Sequence, residues 1–328
     1  MTPYVIIDDF ESYEEGGEPT NWTRNATSSD ATVTVVKNEY ISDSNNSEKI
    51  LEIHKPLASG SKVSASISKT FEEQKGIIEI GFKFYKNSNL RSILKISNGS
   101  GTEIERLTIS ESGNRLYIND RTTELTTYKP NQWYDVKLII HMDTDNPTTN
   151  VYLNEAPLAT KDGVTDIPLW KQSEWVKTKS IGKIEFTQWD DRGEGSDYFD
   201  DIYFYNHNTA LQLDKESILS NVDLNAVTEN LTLPTTGKYG STIVWETTNP
   251  DIISETGEVT RPEFEEGNAH VQLTATLTKE IGYGGLVKTI TDQKVFNITV
   301  VKKDPVGPIA DELAVKADKE YLEKNFGY

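Results

Sequence analysis

The chain has no cysteine, although it is 328 residues long. Without a thiol it can form no disulfide bond, and cysteine-based nucleophilic catalysis is excluded. A cytosolic enzyme of this length usually carries some cysteines, and a secreted eukaryotic protein usually carries disulfides. Complete absence therefore favours a secreted or cell-surface protein of a Gram-positive bacterium.

Positive charge is scarce as well. Lys and Arg together number 33 against 52 for Asp and Glu, so the formal net charge is −19. Nucleic acids and anionic membrane surfaces both need a basic footprint on their partner, so neither is expected to bind. No apolar run approaches the roughly 18 residues of a membrane span. Asp8 and Asp9 interrupt any signal peptide, so we expect that an export signal has been removed.

Recognisable catalytic motifs are also missing. The four histidines, at positions 54, 141, 207 and 270, lack the spacing of metal ligands. No Gly-x-Ser-x-Gly elbow and no phosphate-binding loop is present. Paired carboxylates suited to glycoside hydrolysis stay open, because Asp and Glu are abundant and their separation in space is unknown. The expectation is a protein that is not itself an enzyme.

Alternating apolar and polar residues dominate residues 4–206. Apolar residues recur at every second position, as in the runs Ile78, Ile80, Phe82, Phe84 and Val136, Leu138, Ile140, Met142. This is the period of a half-buried strand, and turn-forming stretches separate the runs. About ten to twelve short strands with almost no helical period predict an all-β fold, a two-sheet sandwich of the jelly-roll type.

A second β unit is predicted at 211–302, after a short polar joint at 206–209. Ile243 and Trp245 alternate inward on an early strand, and residues 213–219 carry a short helical pattern. About 90 residues of this pattern with one such tryptophan predict an immunoglobulin-like sandwich without its disulfide. Residues 303–328 are predicted to be a linker, since Pro305 and Pro308 oppose regular structure, followed by a short helical segment.

Carboxylates stand at both ends of the first unit. The terminal strands of an antiparallel sandwich often lie side by side, which would bring these carboxylates together. Clustered carboxylates repel one another unless a cation lies between them, and Ca²⁺ prefers oxygen ligands. The candidate ligands of a structural Ca²⁺ are Asp9, Glu11, Asp200 and Asp201. Strand parity places Asp200 on the core face, where an unpaired charge would be costly.

A sugar-binding platform is predicted in the loop at 188–195. Carbohydrates are held by aromatic rings and by polar groups that bind their hydroxyls. Trp189 stands there beside Asp191 and Arg192, between flexible glycines, with no obvious core to enter. Further candidates at strand ends are Tyr85, Arg91, Arg115 and Tyr117. An arginine in the site would make a uronate polymer such as pectin more plausible than a neutral glucan.

Four segments of the second unit carry a family resemblance: 231–234 (LTLP), 243–249 (IVWETTN), 257–262 (GEVTRP) and 275–277 (ATL). Together they resemble the atrophied bacterial immunoglobulin-like domain. The resemblance implies a spacer in large secreted polysaccharide-degrading enzymes. Physically, Trp245 is expected to fill the core, Asn249-Pro250 to turn the chain and Gly257 to support a tight hairpin.

The first unit is similar to concanavalin-like, jelly-roll carbohydrate-binding modules. The similarity rests on 9–11 (DFE), 133–136 (WYDV), 143–145 (DTD), 151–154 (VYLN) and 199–202 (FDDI). It implies a structural Ca²⁺ where the terminal strands meet. These folds usually have Asn-Gly after the Tyr-Leu pair, whereas this chain has Asn154-Glu155. The hairpin turn must therefore form without glycine.

The sequence thus predicts non-catalytic carbohydrate binding, with the module tethering a catalytic domain of the same protein to a cell-wall polysaccharide. Two alternatives stay open. In one, the sandwich is itself a polysaccharide lyase or glycanase; in the other, it is a surface adhesin or spacer without a sugar site.

Overall fold

The computed structural model describes most of the chain. It covers residues 2–42, 44–57, 63–119, 121–171, 173, 179–190, 193–304, 316 and 319–324, without the side chains of residues 189 and 190. Two compact units are present: Met1–Ala210 with Glu280–Lys288, and Leu211–Lys279 with Thr289–Tyr328.

Two antiparallel sheets form the first unit. The first has nine strands in the described residues, and its main path runs β13 (Ala156–Pro157), β12 (Thr148–Leu153), β11 (Trp133–His141), β6 (Ile77–Lys86), β16 (Gly195–Asn206), β4 (Lys49–Lys55) and β3 (Thr32–Lys37). On this sheet β1 (Tyr4–Asp8) also pairs with β16, and β14 (Ile167–Pro168) pairs with β12. The second has seven, in the order β10 (Thr123–Thr127), β9 (Arg115–Ile118), β8 (Glu103–Ser110), β7 (Ser92–Ser97), β15 (Ile181–Asp190), β5 (Val63–Gln74) and β2 (Thr23–Ala26).

The core of the first unit lies between these two sheets. The long strands β6 and β11 contribute alternate residues to it, as the period of two predicts. Phe82 and Phe199 of the nine-stranded sheet meet Phe186 of the seven-stranded sheet, each with ring centroids 5.1 Å from those of Phe186. Leu94, Ile96 and further alternating residues complete the buried cluster. The predicted all-β sandwich is confirmed.

The first and last strands of this unit lie side by side, as the sequence predicts. Ile6 pairs with Phe204 and Asp8 with Ile202 in the antiparallel register of β1 and β16. A bulge interrupts β16 between Asp200 and Tyr203 where it pairs with β6. At this bulge Asp201 has φ 48°, in the left-handed region.

The hairpin between β12 and β13 forms without glycine. Leu153 pairs with Ala156, so only Asn154 and Glu155 lie in the turn. Both have positive φ, 48° and 65°, as a type I′ turn requires. The Asn154 amide oxygen accepts a 2.9 Å hydrogen bond from the backbone N–H of Asp135, which holds the turn against β11.

The second unit is the predicted immunoglobulin-like sandwich. Its sheet contains β17 (Thr242–Thr247), β18 (Ala269–Tyr283) and β19 (Leu286–Val300), except for the ends of β18 and β19 at 280–288, which belong to the first unit. Trp245 is buried, stacks on Phe296 at 5.7 Å and donates its indole N–H to the Pro234 carbonyl. Gly257 has φ 91°, and a Cβ there would lie 2.1 Å from the Leu231 carbonyl oxygen, so only glycine fits.

The predicted polar joint at 206–209 is wrong. A helix, α1 (His207–Ser217), begins there, and the side chain of Asn206 accepts a 3.0 Å hydrogen bond from the backbone N–H of Thr209. Asn206 is therefore an N-cap. A short 3₁₀ helix spans Phe264–Glu266. Near the C terminus residues 319–324 are helical, as predicted, and most of the predicted linker falls outside the described residues.

None of the described helices has the length and apolarity needed to cross a membrane.

Candidate functional site

The predicted loop at 188–195 is shorter than expected, because β15 continues to Asp190 and β16 begins at Gly195. Trp189 lies in β15, where its backbone pairs with Ser64 of β5, and its side chain lies outside the described part of the structure. Asp191 and Arg192 lie outside the described residues.

Arg115 and Tyr117 do lie together, on the seven-stranded sheet. The Arg115 guanidinium donates a 3.4 Å hydrogen bond to the Tyr117 hydroxyl, and its Nε lies 3.5 Å from the Glu124 carboxylate. The guanidinium of Arg121 lies 5.9 Å from the centre of the Tyr117 ring. Arg91 immediately precedes β7 of the same sheet. Arg115, Tyr117, Arg121 and Glu124 form a mixed-charge patch, with the Arg115 side chain 43% exposed.

Tyr85 belongs to the nine-stranded sheet, whereas Arg115 lies on the seven-stranded sheet. The strand registers place four residues in one row across the nine-stranded sheet: Glu52 on β4, Tyr198 on β16, Tyr85 on β6 and Trp133 on β11. Neighbours in such a row contact one another across strands. Tyr85 itself is only 9% exposed, so its ring is not a surface platform.

Tyr40, in the loop after β3, lies over this row. Its ring stacks on Tyr85 with centroids 4.2 Å apart and planes 16° apart, and its hydroxyl is 3.3 Å from the Tyr198 hydroxyl. The indole N–H of Trp133 donates a 2.8 Å hydrogen bond to the Tyr40 carbonyl, which fixes the loop. The half-buried rings of Tyr40 and Tyr198 are thus the aromatic surface at this end of the sheet.

An open cleft of about 190 Å³ adjoins these two rings. It is lined by Glu15, Val36, Lys37, Glu39, Tyr40, Glu52 and Tyr198. Burial, the hydrogen bond with Tyr40 and the negative charge of Glu52 raise the pKa of Tyr198, so its hydroxyl stays protonated at neutral pH. Hydroxyl, carboxylate and ammonium groups therefore converge beside an aromatic surface.

Sequence reasoning missed Tyr40, Tyr198 and Glu52. One signal was available for Tyr198, since it alternates with the core residue Phe199 and therefore faces outward. Tyr40 gave no such signal, because a loop residue has no periodicity.

Two of the predicted metal ligands converge on one loop. Asp200 is fully buried and accepts a 2.8 Å hydrogen bond from the Asn45 amide. Glu11 accepts hydrogen bonds from the backbone N–H groups of Glu48 and Lys49, at 2.7 and 3.2 Å. Burial raises the pKa of Asp200 to about 6.

The other two predicted ligands are arranged differently. Asp201 is 41% exposed and lies 2.7 Å from the Lys83 ammonium, which already neutralises it. Asp9 accepts a hydrogen bond from the Glu11 backbone N–H at 3.2 Å. Across the described residues no group of three or more His, Asp or Glu side chains is close enough to hold a metal. Ca²⁺ takes carboxylate and carbonyl oxygens as ligands, and the carboxylates of Glu11 and Asp200 both contact the segment at 45–49.

The family model of the atrophied bacterial Ig domain matches residues 206–303. This confirms the resemblance of the second unit. No curated protein matched the sequence.

Several solved structures are similar to this chain. A sialidase has 10% sequence identity and a TM-score of 0.44, covering 77% of this chain, which spans only 24% of the sialidase. The family 11 carbohydrate-binding module of the Clostridium thermocellum cellulase Lic26A-Cel5E has 12% identity and a TM-score of 0.30, covering 63% of this chain and 96% of its own. An endo-1,3-β-glucanase from Streptomyces sioyaensis has 9% identity and a TM-score of 0.42; the match covers 62% of this chain and 96% of the glucanase chain.

Proposed function

We propose that the first unit binds a polysaccharide without cleaving it, in the cleft beside Tyr40 and Tyr198. The observation that carries this proposal is the pair of partly exposed rings next to polar groups in an open cleft. The apolar face of a pyranose packs against such rings, while carboxylates and hydroxyls bind its hydroxyl groups. The ring of Tyr40 rests on Tyr85, so little ordering is needed on binding.

The biological role that follows is to keep a catalytic domain close to its polysaccharide substrate. A module that holds a polymer raises the effective concentration of substrate for a catalytic domain in the same protein. The immunoglobulin-like unit would serve as a spacer in this arrangement. Export from a Gram-positive bacterium, as the lack of cysteine favours, would place both on the polymer outside the cell.

A second function is supported by the carboxylates in the cleft. Glu39 and Glu52 both line it, and glycoside hydrolysis needs two carboxylates flanking the bond. In that case the sandwich itself would cleave the glycan. Incubation of the protein with the polysaccharide distinguishes the two functions. Cleavage would produce new reducing ends or unsaturated uronides, whereas binding alone would produce neither.

We also propose a structural Ca²⁺ at the meeting point of the terminal strands. Glu11 and Asp200 would hold it with oxygens of the 45–49 loop, since both carboxylates already contact that loop. The cation would offset the cost of burying the Asp200 charge. Asp201 is left out of this proposal because Lys83 already pairs with it.

Affinity electrophoresis tests the proposed function. Native gels loaded with pectin, xylan, β-glucan or chitosan should retard the protein in at least one case, relative to a gel without polysaccharide. Incubation with the retarding polymer should release neither reducing ends nor unsaturated uronides. Free migration in every gel would support the adhesin or spacer instead, and product release would support an enzyme.

A further inference from the structure

The cleft beside Tyr40 and Tyr198 carries an excess of negative charge. Three carboxylates line it, those of Glu15, Glu39 and Glu52, against the single ammonium of Lys37. All four residues are at least partly exposed. A ligand entering this cleft therefore meets net negative charge.

These three carboxylates lack a cationic partner, at least within the part of the chain that the structure covers. Two other carboxylates of the first unit are paired by contrast: Glu185 lies 2.7 Å from Lys95, and Asp201 lies 2.7 Å from Lys83. No such ion pair is found for the cleft carboxylates among the described residues. Glu52 stands next to Tyr198 in the row across the sheet, so its charge adjoins the aromatic surface.

Unpaired carboxylates discriminate between sugars by charge. A uronate would bring a like charge to the cleft and be repelled, whereas a protonated amino group would form an ion pair. A neutral sugar would be held by the rings and hydrogen bonds alone. The charge pattern thus opposes the pectin-like ligand expected from the arginine candidates, of which Arg115 lies on the other sheet.

We propose that the cleft selects a glycan with free amino groups, of the polyglucosamine type, over neutral and uronate glycans. This inference rests on the proposed function, since it names the ligand class of the same site. Glu52 is the main specificity residue, because it lies directly beside Tyr198. Glu39 and Glu15 also line the cleft and add to its negative electrostatic potential.

Calorimetric titration with three short oligosaccharides tests the proposal: glucosamine oligomers, their N-acetylated counterparts and oligogalacturonate. At low salt we expect the glucosamine oligomer to bind most tightly and the oligogalacturonate most weakly. Glu52→Gln should weaken glucosamine binding about fivefold, because a partly exposed ion pair contributes up to ~1 kcal/mol. Binding of the N-acetylated oligomer should not change.

Glu14→Gln is the matched control, since Glu14 is an exposed neighbour of Glu15 that does not line the cleft. It should leave all three affinities unchanged, and added salt should weaken only the glucosamine interaction. Equal effects of Glu52→Gln and Glu14→Gln, or tighter binding of oligogalacturonate, would overturn the inference. Binding of a neutral glycan without amine preference would overturn the inference alone, whereas failure of every glycan to bind would overturn the proposed function as well.

Discussion

Gln188 is a fully buried amide on β15, opposite Ser92 of β7. Neither its nitrogen nor its oxygen has a hydrogen-bond partner in the described residues. Its neighbourhood is otherwise well paired, since buried Asp197 accepts hydrogen bonds from Lys86 at 2.7 Å and from Ser92. An unpaired buried amide lowers stability by roughly 1–3 kcal/mol.

We therefore expect Gln188→Met to raise the free energy of unfolding by about 1–2 kcal/mol, because methionine fills a similar volume without polar atoms to satisfy. Urea denaturation measures this change. Gln293→Met, at an exposed position, is the control and should change stability by less than about 0.5 kcal/mol. A clear loss of stability in Gln188→Met would mean that the amide has partners, such as an ordered water.

Glu105 gives a second expectation for a single residue. It is fully buried on β8, and burial raises its pKa to about 8. The folded state therefore retains a proton that the unfolded state loses near its ordinary pKa of about 4.3. Stability from this group is fully present below that value and falls as pH rises towards 8, by at most about 1.4 kcal/mol per pH unit.

Glu105→Gln cannot titrate, so the fall in stability between about pH 5 and pH 8 should be shallower than in the parent protein. The free energy of unfolding of both proteins, measured across this interval, gives the comparison. All other titratable groups are the same in both proteins, so the difference between the two curves isolates Glu105. Parallel curves would show that the Glu105 carboxyl does not hold a proton in the folded state.

At the scale of the element, the turn after β12 places Glu155 at φ 65°. A non-glycine residue in the left-handed region costs roughly 1 kcal/mol, and type I′ turns favour Asn-Gly. Glu155→Gly should therefore raise the thermal midpoint, even though it removes the exposed 3.4 Å ion pair with Lys137. Glu155→Gln, which keeps the Cβ, is the matched control and should give no rise. A lower midpoint for Glu155→Gly would refute the account of this turn.

The strands of the first unit were predictable because burial on one face imposes a period of two on the sequence. The same parity placed Asp200 in the interior, and its complete burial agrees. The start of α1 could also have been predicted from the sequence, since asparagine is a favoured N-cap residue and Asn206 caps this helix. It was missed because the residues that follow it are polar.

The aromatic surface was not predictable from strand periodicity. It forms because a loop carries Tyr40 onto Tyr85, and the contact joins residues about 45 positions apart in the chain. Nor does the sequence reveal that Tyr85 and Arg115 lie on different sheets, since strand order depends on long-range pairing. Sequence alone therefore predicted the strands of the first unit but not which of them contribute to one site.

For the whole molecule, Ca²⁺ is expected to stabilise the junction of the terminal strands in the first unit. Calcium at about 100 times its dissociation constant would add ~2.7 kcal/mol, so the thermal midpoint should rise on addition and fall with a chelator. Asp200→Asn should abolish this shift, whereas Asp201→Asn should retain it because Asp201 pairs with Lys83. If neither calcium nor a chelator changes the thermal midpoint of the parent protein, the proposed structural Ca²⁺ is refuted.

The central claim, that the cleft beside Tyr40 and Tyr198 is where a glycan binds, is tested most directly by comparing two tyrosine variants. Tyr198→Ala and Tyr117→Ala each remove one partly exposed ring, from the nine-stranded and the seven-stranded sheet respectively. Their retardation would be measured on the same native gel containing chitosan, after thermal melts confirm that both are folded. We predict that Tyr198→Ala loses about tenfold in affinity, or ~1.4 kcal/mol, while Tyr117→Ala is retarded like the parent. The reverse pattern would contradict the account and move the site to the patch around Arg115.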